Sequence, residues 1–200
     1  MNIAVLGTGN IGRTLGKKWA SAGHTVNFGS REAGSEKSLA LARDLPMAIV
    51  ATVPAALATA EVIVLAIPGR VVEEMLDAHA ALFAGKIVID ATNQVTTPVM
   101  SSLEAIAAKA PTALVYRAFN SLGWENFEQP QFGDTQADHF FCGPAGESQS
   151  IVARLIADIG LQPIYLGGPE QAPLLDAMTR LWFTLVNRQQ TRHLAFKVLM

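Results

Sequence analysis

Apolar residues along this chain gather in short runs rich in β-branched and aromatic types, separated by stretches where they recur at helical spacing. The runs at 2–6 (NIAVL), 24–28 (HTVNF), 47–51 (MAIVA), 62–67 (VIVLAI), 86–90 (KIVID), 112–117 (TALVYR), 137–142 (ADHFFC) and 161–166 (LQPIYL) predict strands. Their apolar continuity fits strands covered on both faces. Between them Ile11, Leu15, Trp19 and Ala22 form one helical stripe, and Val72, Met75, Leu76, His79 and Leu82 another. Ile151, Val152, Leu155, Ile156 and Ile159 predict a helix over 147–159, and residues 98–109 carry a weaker version of the pattern. This alternation predicts an α/β fold, a Rossmann-type doubly wound and mostly parallel sheet.

Two segments depart from the alternation. Residues 118–136 show no sustained period and read as a loop over the surface. From about residue 170, Leu174, Leu175, Met178, Leu181, Trp182 and Leu185 repeat at helical spacing with no strand after them, and the chain ends on HLAFKVLM. A C-terminal helical extension with this much apolar surface caps the sheet or meets a second subunit, and a homodimer is the expected assembly.

Composition narrows the class. Two hundred residues, half of them apolar, suffice for one sizeable core. A net charge of -2 with scattered signs offers no footprint for nucleic acid or an anionic membrane surface. A single cysteine, Cys142, and no metal-like Cys/His spacing point to a reducing compartment, so the cytoplasm is the expected location and no metal is expected. The opening NIAVLG lacks a basic n-region and a cleavage site. The apolar stretch from Ala48 to Gly69 is broken by Thr52, Pro54, Thr59, Glu61 and Pro68 into pieces too short to span a bilayer.

The candidate chemistry begins at Gly7-Thr8-Gly9-Asn10-Ile11-Gly12, a G-x-G-x-x-G that follows a predicted strand and opens an amphipathic helix. Gly7 permits the tight turn, Gly9 lets the backbone approach a pyrophosphate, and Gly12 lets the helix pack on the strand. The helix N-terminus then supplies free N–H groups near Asn10 and Ile11. About twenty residues on, an Asp or Glu would bind ribose hydroxyls and repel a phosphate ester. Gly29-Ser30-Arg31 stands there instead. Ser30 can donate a hydrogen bond and Arg31 can grip a phosphate or stack on adenine, so NADP is expected rather than NAD. Lys37 adds charge if its register allows.

Ligands of open α/β sheets lie beyond the carboxyl ends of the strands. That rule nominates Ala66, Ile67 and Pro68 to line the cofactor's path, and Asn93 and Asn120 to stand nearer the nicotinamide. For each asparagine, ordinary turn chemistry is the competing explanation. The dinucleotide-binding domain then spans 1–168 and the helical extension 169–200.

No acid/base pair declares itself, and the catalytic residues stay unassigned. His24, His79, His139 and His193 do not cluster and read as structural. Arg180, Arg188 and Arg192 fall near one face if the last helix is continuous, a solvated face more readily than a phosphate site. Trp124 and Trp182 read as core or interface residues before stacking platforms. Hydride exchange between two cofactor rings needs no dyad, because the protein's task is to stack them.

The segments VLGTGNIG, NFGSRE, VIVLAIPG, VIDATN and RAFNSLG, in this order and spacing, resemble the NADP oxidoreductase family dependent on the deazaflavin coenzyme factor 420. They are also similar to the cytosolic reductase domain of the six-transmembrane metalloreductases. The resemblance covers residues 1 to about 125. It implies NADP binding by Thr8 to Gly12 and Ser30-Arg31, with Ile67-Pro68 along the path, and hydride transfer between nicotinamide and a small-molecule redox acceptor, a flavin or deazaflavin. The family's deazaflavin site draws partly on the later half of the chain, where no motif matches residue by residue. Two other functions fit the same residues: a non-catalytic module that senses NADP(H), and a small imine or carbonyl reductase completed by a second subunit.

Overall fold

The computed structural model describes residues 1–199. Six parallel strands, β1 (Asn2–Leu6), β2 (Thr25–Ser30), β3 (Ala48–Thr52), β4 (Val62–Leu65), β5 (Ile87–Asp90) and β6 (Leu114–Arg117), form one sheet in the order β3-β2-β1-β4-β5-β6. The order reverses beside β1, which opens a crevice at the carboxyl ends of β1 and β4. Alternation along the strands feeds two cores. Ile3, Val5, Phe28 and Tyr116 pack on one face against Leu15 and Trp19 of α1 (Asn10–Ser21) and Leu155 of α7 (Glu147–Asp158). Ala4, Leu6, Ile63 and Leu65 pack on the other against α3 (Val53–Thr59), α4 (Val72–His79) and α5 (Leu103–Lys109).

The outline matches the expected doubly wound fold, with corrections. The runs at 137–142 and 161–166 do not join the main sheet. They form β9 (Asp138–Phe141) and β10 (Gln162–Tyr165), which pair with each other in parallel. An antiparallel bridge between Arg117 and Cys142 ties this ribbon to the end of β6. A buried apolar run does not disclose which edge it will meet.

The expected surface loop 118–136 is also corrected. Ala118 through Leu122 are buried, as are Asn126 and Phe127 of α6 (Trp124–Glu128), and the segment comes to the surface at Gln129 and along the hairpin β7 (Gln131–Phe132) and β8 (Thr135–Gln136). The reason is an aromatic knot around Phe119, whose φ is 60°. Its ring meets Trp19 and Phe127 edge-on and stacks on His139 at 4.8 Å. The Phe119 N–H donates to His139 Nε2 at 2.7 Å. The weak pattern at 98–109 yields a helix only from Leu103, because the Met100 and Ser102 N–H groups donate instead to Asp176 and Asp90.

These two carboxylates surround Arg117, which is fully buried. Its Nη2 lies 2.8 Å from Asp176 and its Nη1 3.3 Å from Asp90, and it also donates to the Asp90 and Thr92 carbonyls and, at 2.8 Å, to Asn93 Oδ1. Asp90 further accepts from the Thr92 N–H, the Thr92 hydroxyl and the Ser102 N–H. The cluster joins the ends of β5 and β6 to α8 (Ala172–Gln189).

Helix α8 ends at Gln190, in the left-handed region at φ 53°. The tail then doubles back. Asn126 Nδ2 donates to the Arg192 carbonyl, Trp182 Nε1 to that of Leu194, and Asp138 pairs with Phe196 while its carboxylate receives Lys197 and the Val198 N–H. Arg192 therefore leaves the helix, and the three arginines do not share a face. Among the described residues no helix is long and apolar enough to cross a membrane.

Arg117→Ala leaves two buried carboxylates without their cation and should cost about 3–5 kcal/mol, read from urea unfolding. The buried His139 ring is held neutral, its pKa pushed down from 6.5 to about 3 by desolvation. Between those values the unfolded chain takes up a proton that the folded chain refuses. Stability should therefore fall as the pH drops from about 6.5 toward 3, with a slope of up to about 1.4 kcal/mol per pH unit from this group. His139→Gln, which keeps an acceptor for Phe119, should flatten that slope in urea midpoints taken from pH 7 to 4.

Candidate functional site: a cavity across the strand ends

A cavity of about 940 Å³ lies over the carboxyl ends of β1, β2, β4, β5 and β6. Gly7, Thr8, Gly9, Asn10 and Ile11 border it, as do Ser30, Arg31, Ala66, Ile67, Pro68, Asn93 and Asn120. Gly12 alone of the sequence-nominated residues lies off the wall, beneath the loop. A Cβ there would stand 2.1 Å from the Gly7 carbonyl oxygen, so its role is helix–strand contact. Gly7 has φ 123°, and a Cβ on it would stand 2.2 Å from the Ala66 carbonyl oxygen. Loops β1–α1 and β4–α4 thus touch through backbone. A Cβ on Gly9 would have no described atom within 4 Å. Gly9 is also the N-cap of α1, with no side-chain cap and no acidic residue in the first turn. That end of the helix presents its dipole and its first N–H groups to the cavity with no side-chain cap from its own turn.

At the β2 end Ser30 sits in a hydroxyl network that the sequence reading did not identify. Ser30 Oγ lies 2.9 Å from Ser38 Oγ and accepts from the Glu32 N–H at 3.2 Å. Ser35 caps α2 (Glu36–Asp44) by accepting from the Ser38 N–H. Ser35, Lys37 and Ser38 all border the cavity, which settles the register of Lys37. The signal was present as S-x-x-S ahead of a helical run, a capping pattern. Glu32 borders the same end, opposite in sign to Arg31 and Lys37.

The far end is apolar and aromatic, walled by Met75, Leu122, Trp124, Trp182 and Phe183. Trp182 is buried, with the Arg192 guanidinium 5.0 Å above its ring and Arg192 Nε held by Glu125. Asn93 accepts from Arg117 through Oδ1 and donates one N–H to the Asn120 carbonyl at 2.8 Å. Asn120 donates through Nδ2 to Thr179 Oγ1 at 2.9 Å and to the Leu175 carbonyl, while its Oδ1 has no partner among the described residues.

Of the histidines only His79, the last residue of α4, borders the cavity. His24 pairs with Asp158, His139 lies beneath Phe119, and His193 stacks on Phe132. Arg180 donates to the Thr97 and Pro98 carbonyls, away from this cavity. Among the described residues no group of three or more His, Cys, Asp or Glu is gathered as a metal site.

Known proteins place this geometry in context. The family model described as NADP oxidoreductase, coenzyme F420-dependent, matches residues 2–94, from β1 through β5. The rat metalloreductase STEAP3 is 28% identical over 185 residues, covering 88% of this chain and 36% of its own, so the chain spans about a third of that relative. A candidate F420-dependent NADP-reductase from Arthrobacter sp. FB24 superposes with a TM-score of 0.88 at 26% identity, each chain covered in full. A reductive aminase from Aspergillus terreus, in complex with NADPH4, cyclohexanone and allyl amine, gives a TM-score of 0.71 at 21% identity, covering 94% of this chain and 62% of its own, a likeness of fold.

The two loop glycines should separate cleanly in stability. Gly7→Ala, strained by its positive φ and its contact with Ala66, should lose about 1–3 kcal/mol, whereas Gly9→Ala should stay within about 0.5 kcal/mol of the parent in urea unfolding.

Proposed function

We propose that the cavity holds NADP(H) from the serine cluster at the β2 end to the two asparagines and that its aromatic end receives the hydride acceptor, in keeping with the match of residues 2–94 to the family model of coenzyme F420-dependent NADP oxidoreductases. The observation that carries this reading is the continuity of one cavity from the uncapped N-terminus of α1 to Ser30 and Arg31, with no carboxylate at the last residue of β2. The bound cofactor would supply the hydride from its nicotinamide ring. The protein's part is to hold and orient: the glycine loop takes the pyrophosphate, Ser30, Arg31, Ser35 and Lys37 take the phosphate on the adenosine ribose, and Asn93 and Asn120 flank the nicotinamide. Two cations against the single Glu32 leave that end net positive, which suits a phosphate dianion. In this reading residues 1–168 are the dinucleotide-binding domain and 169–200 the cap over its far end. A second subunit would cover Leu174 and Leu181, which are exposed on α8, in a cytoplasmic homodimer.

Two acceptors have separate support. A flat flavin or deazaflavin suits the aromatic wall and the family's coenzyme. A small imine or carbonyl compound suits the fold shared with reductive aminases and imine reductases, several of which bind NADPH, and the likenesses of fold weigh toward it. Those chains are longer, so here a second subunit would complete the pocket.

Stopped-flow mixing with NADPH and two panels, flavins with deazaflavins and cyclic imines with ketones, should show turnover in one panel. Tight NADPH binding with no turnover in either would leave a sensor instead. Arg31→Asp should weaken NADPH about tenfold or more and NADH little, and equal losses in titration calorimetry would reject the assigned selectivity.

A further inference from the structure

At its asparagine end the cavity is bordered by a residue that carries a buried, unpaired acceptor. Asn120 is 3% exposed and borders the cavity, yet its Oδ1 has no hydrogen-bond partner among the described residues. A buried acceptor left unpaired is costly, and a ligand that donates to it recovers that cost. The orientation of the amide is set by its surroundings. Nδ2 faces the Leu175 carbonyl, which can only accept, and Thr179 Oγ1, whose proton is already given to that carbonyl at 2.9 Å. Turning the amide over would set Oδ1 against both oxygens, so Oδ1 is the unpaired atom. Its neighbour Asn93 offers no second acceptor of this kind, since its oxygen is taken by Arg117; one of its two amide N–H groups goes to the Asn120 carbonyl, and the other is a donor.

An unpaired acceptor selects a donor. A carbonyl, carboxylate or phosphate gains nothing from it. Residue 120 follows β6, on the far side of the glycine loop from Ser30. A dinucleotide anchored at both of those points brings its nicotinamide, not its adenine, toward Asn120. Its carboxamide is the part of that ring bearing N–H donors. We propose that Asn120 is a positioning residue that accepts one N–H of the nicotinamide carboxamide through Oδ1, and so sets which face of the ring turns toward the acceptor wall at Leu122, Trp124 and Trp182. The inference rests on the NADP(H) reading above and goes beyond it by assigning one atom and one polarity.

The test is a binding cycle that needs no acceptor. Its ligands are NADP and its 3-acetylpyridine analogue, which keeps the ring carbonyl and replaces the amide NH2 with a methyl group. Wild-type protein should bind NADP about tenfold more tightly than the analogue, and Asn120→Ala should bind the two within about twofold of each other. A variant that merely loosens the fold would weaken both ligands together and leave the ratio unchanged. An unchanged ratio therefore overturns the assignment of Asn120 while leaving the NADP(H) reading intact, and failure of the wild type to bind either ligand rejects that reading. Should Asn120→Ala not fold, Asn120→Asp, which retains an acceptor oxygen, should keep the preference for NADP, and its loss there would overturn the proposal equally.

Discussion

One buried cation organises the working end of this molecule. Arg117 sits at the last position of β6 with no access to water, and its guanidinium reaches Asp90 at the end of β5 and Asp176 on α8. Removing a guanidinium from water is expensive unless its donors are filled, and five acceptor groups fill them here. The arrangement serves geometry more than net stability. It fixes where two strands stop, which way Asn93 points, and where the last helix crosses the sheet. Met100 and Ser102 donate to the same carboxylates, so the chain between β5 and α5 is shaped by that need before it becomes helical.

From this anchor the cavity follows. The end nearest β1 and β2 is built from local sequence: a glycine turn, an uncapped helix start, and a serine cluster that ties β2 to α2. The far end is built from distant sequence, since Leu122 and Trp124 come from the β6–α6 segment, Trp182 and Phe183 from α8, and Arg192 from the tail. The aromatic knot around Phe119 is the hinge between the two, because the residue after it is Asn120. Its positive φ turns the chain from β6 into the cavity wall, and His139 meets the N–H that this turn exposes.

The parts legible in the sequence are those that depend on near neighbours in the chain. The glycine spacing, the Ser-Arg pair and the strand-end tripeptides each carry their meaning within a few residues, and the structure gathers them round one space. The cluster of Arg117, Asp90 and Asp176 was out of reach, because an isolated charge in an apolar run looks the same whether its partner is water or a carboxylate 59 residues away. The burial of 118–127 was misread for a related reason. Irregular backbone has no period, and Asn126 and His139 support it by hydrogen bonds that no spacing announces. Ser35 and Ser38 were legible as a helix cap, but their meeting with Ser30 depends on how α2 folds back on β2.

The tail between Gln190 and Val198 gives the far wall a particular independence. It is secured to Asn126, Trp182 and Asp138, none of which belongs to the glycine turn or the serine cluster. Exchanging side chains at 183, 192 and 124 therefore reshapes one half of the cavity without disturbing the other. A lineage built on this plan can vary the far half of the cavity by small steps and keep the glycine turn and the serine cluster throughout.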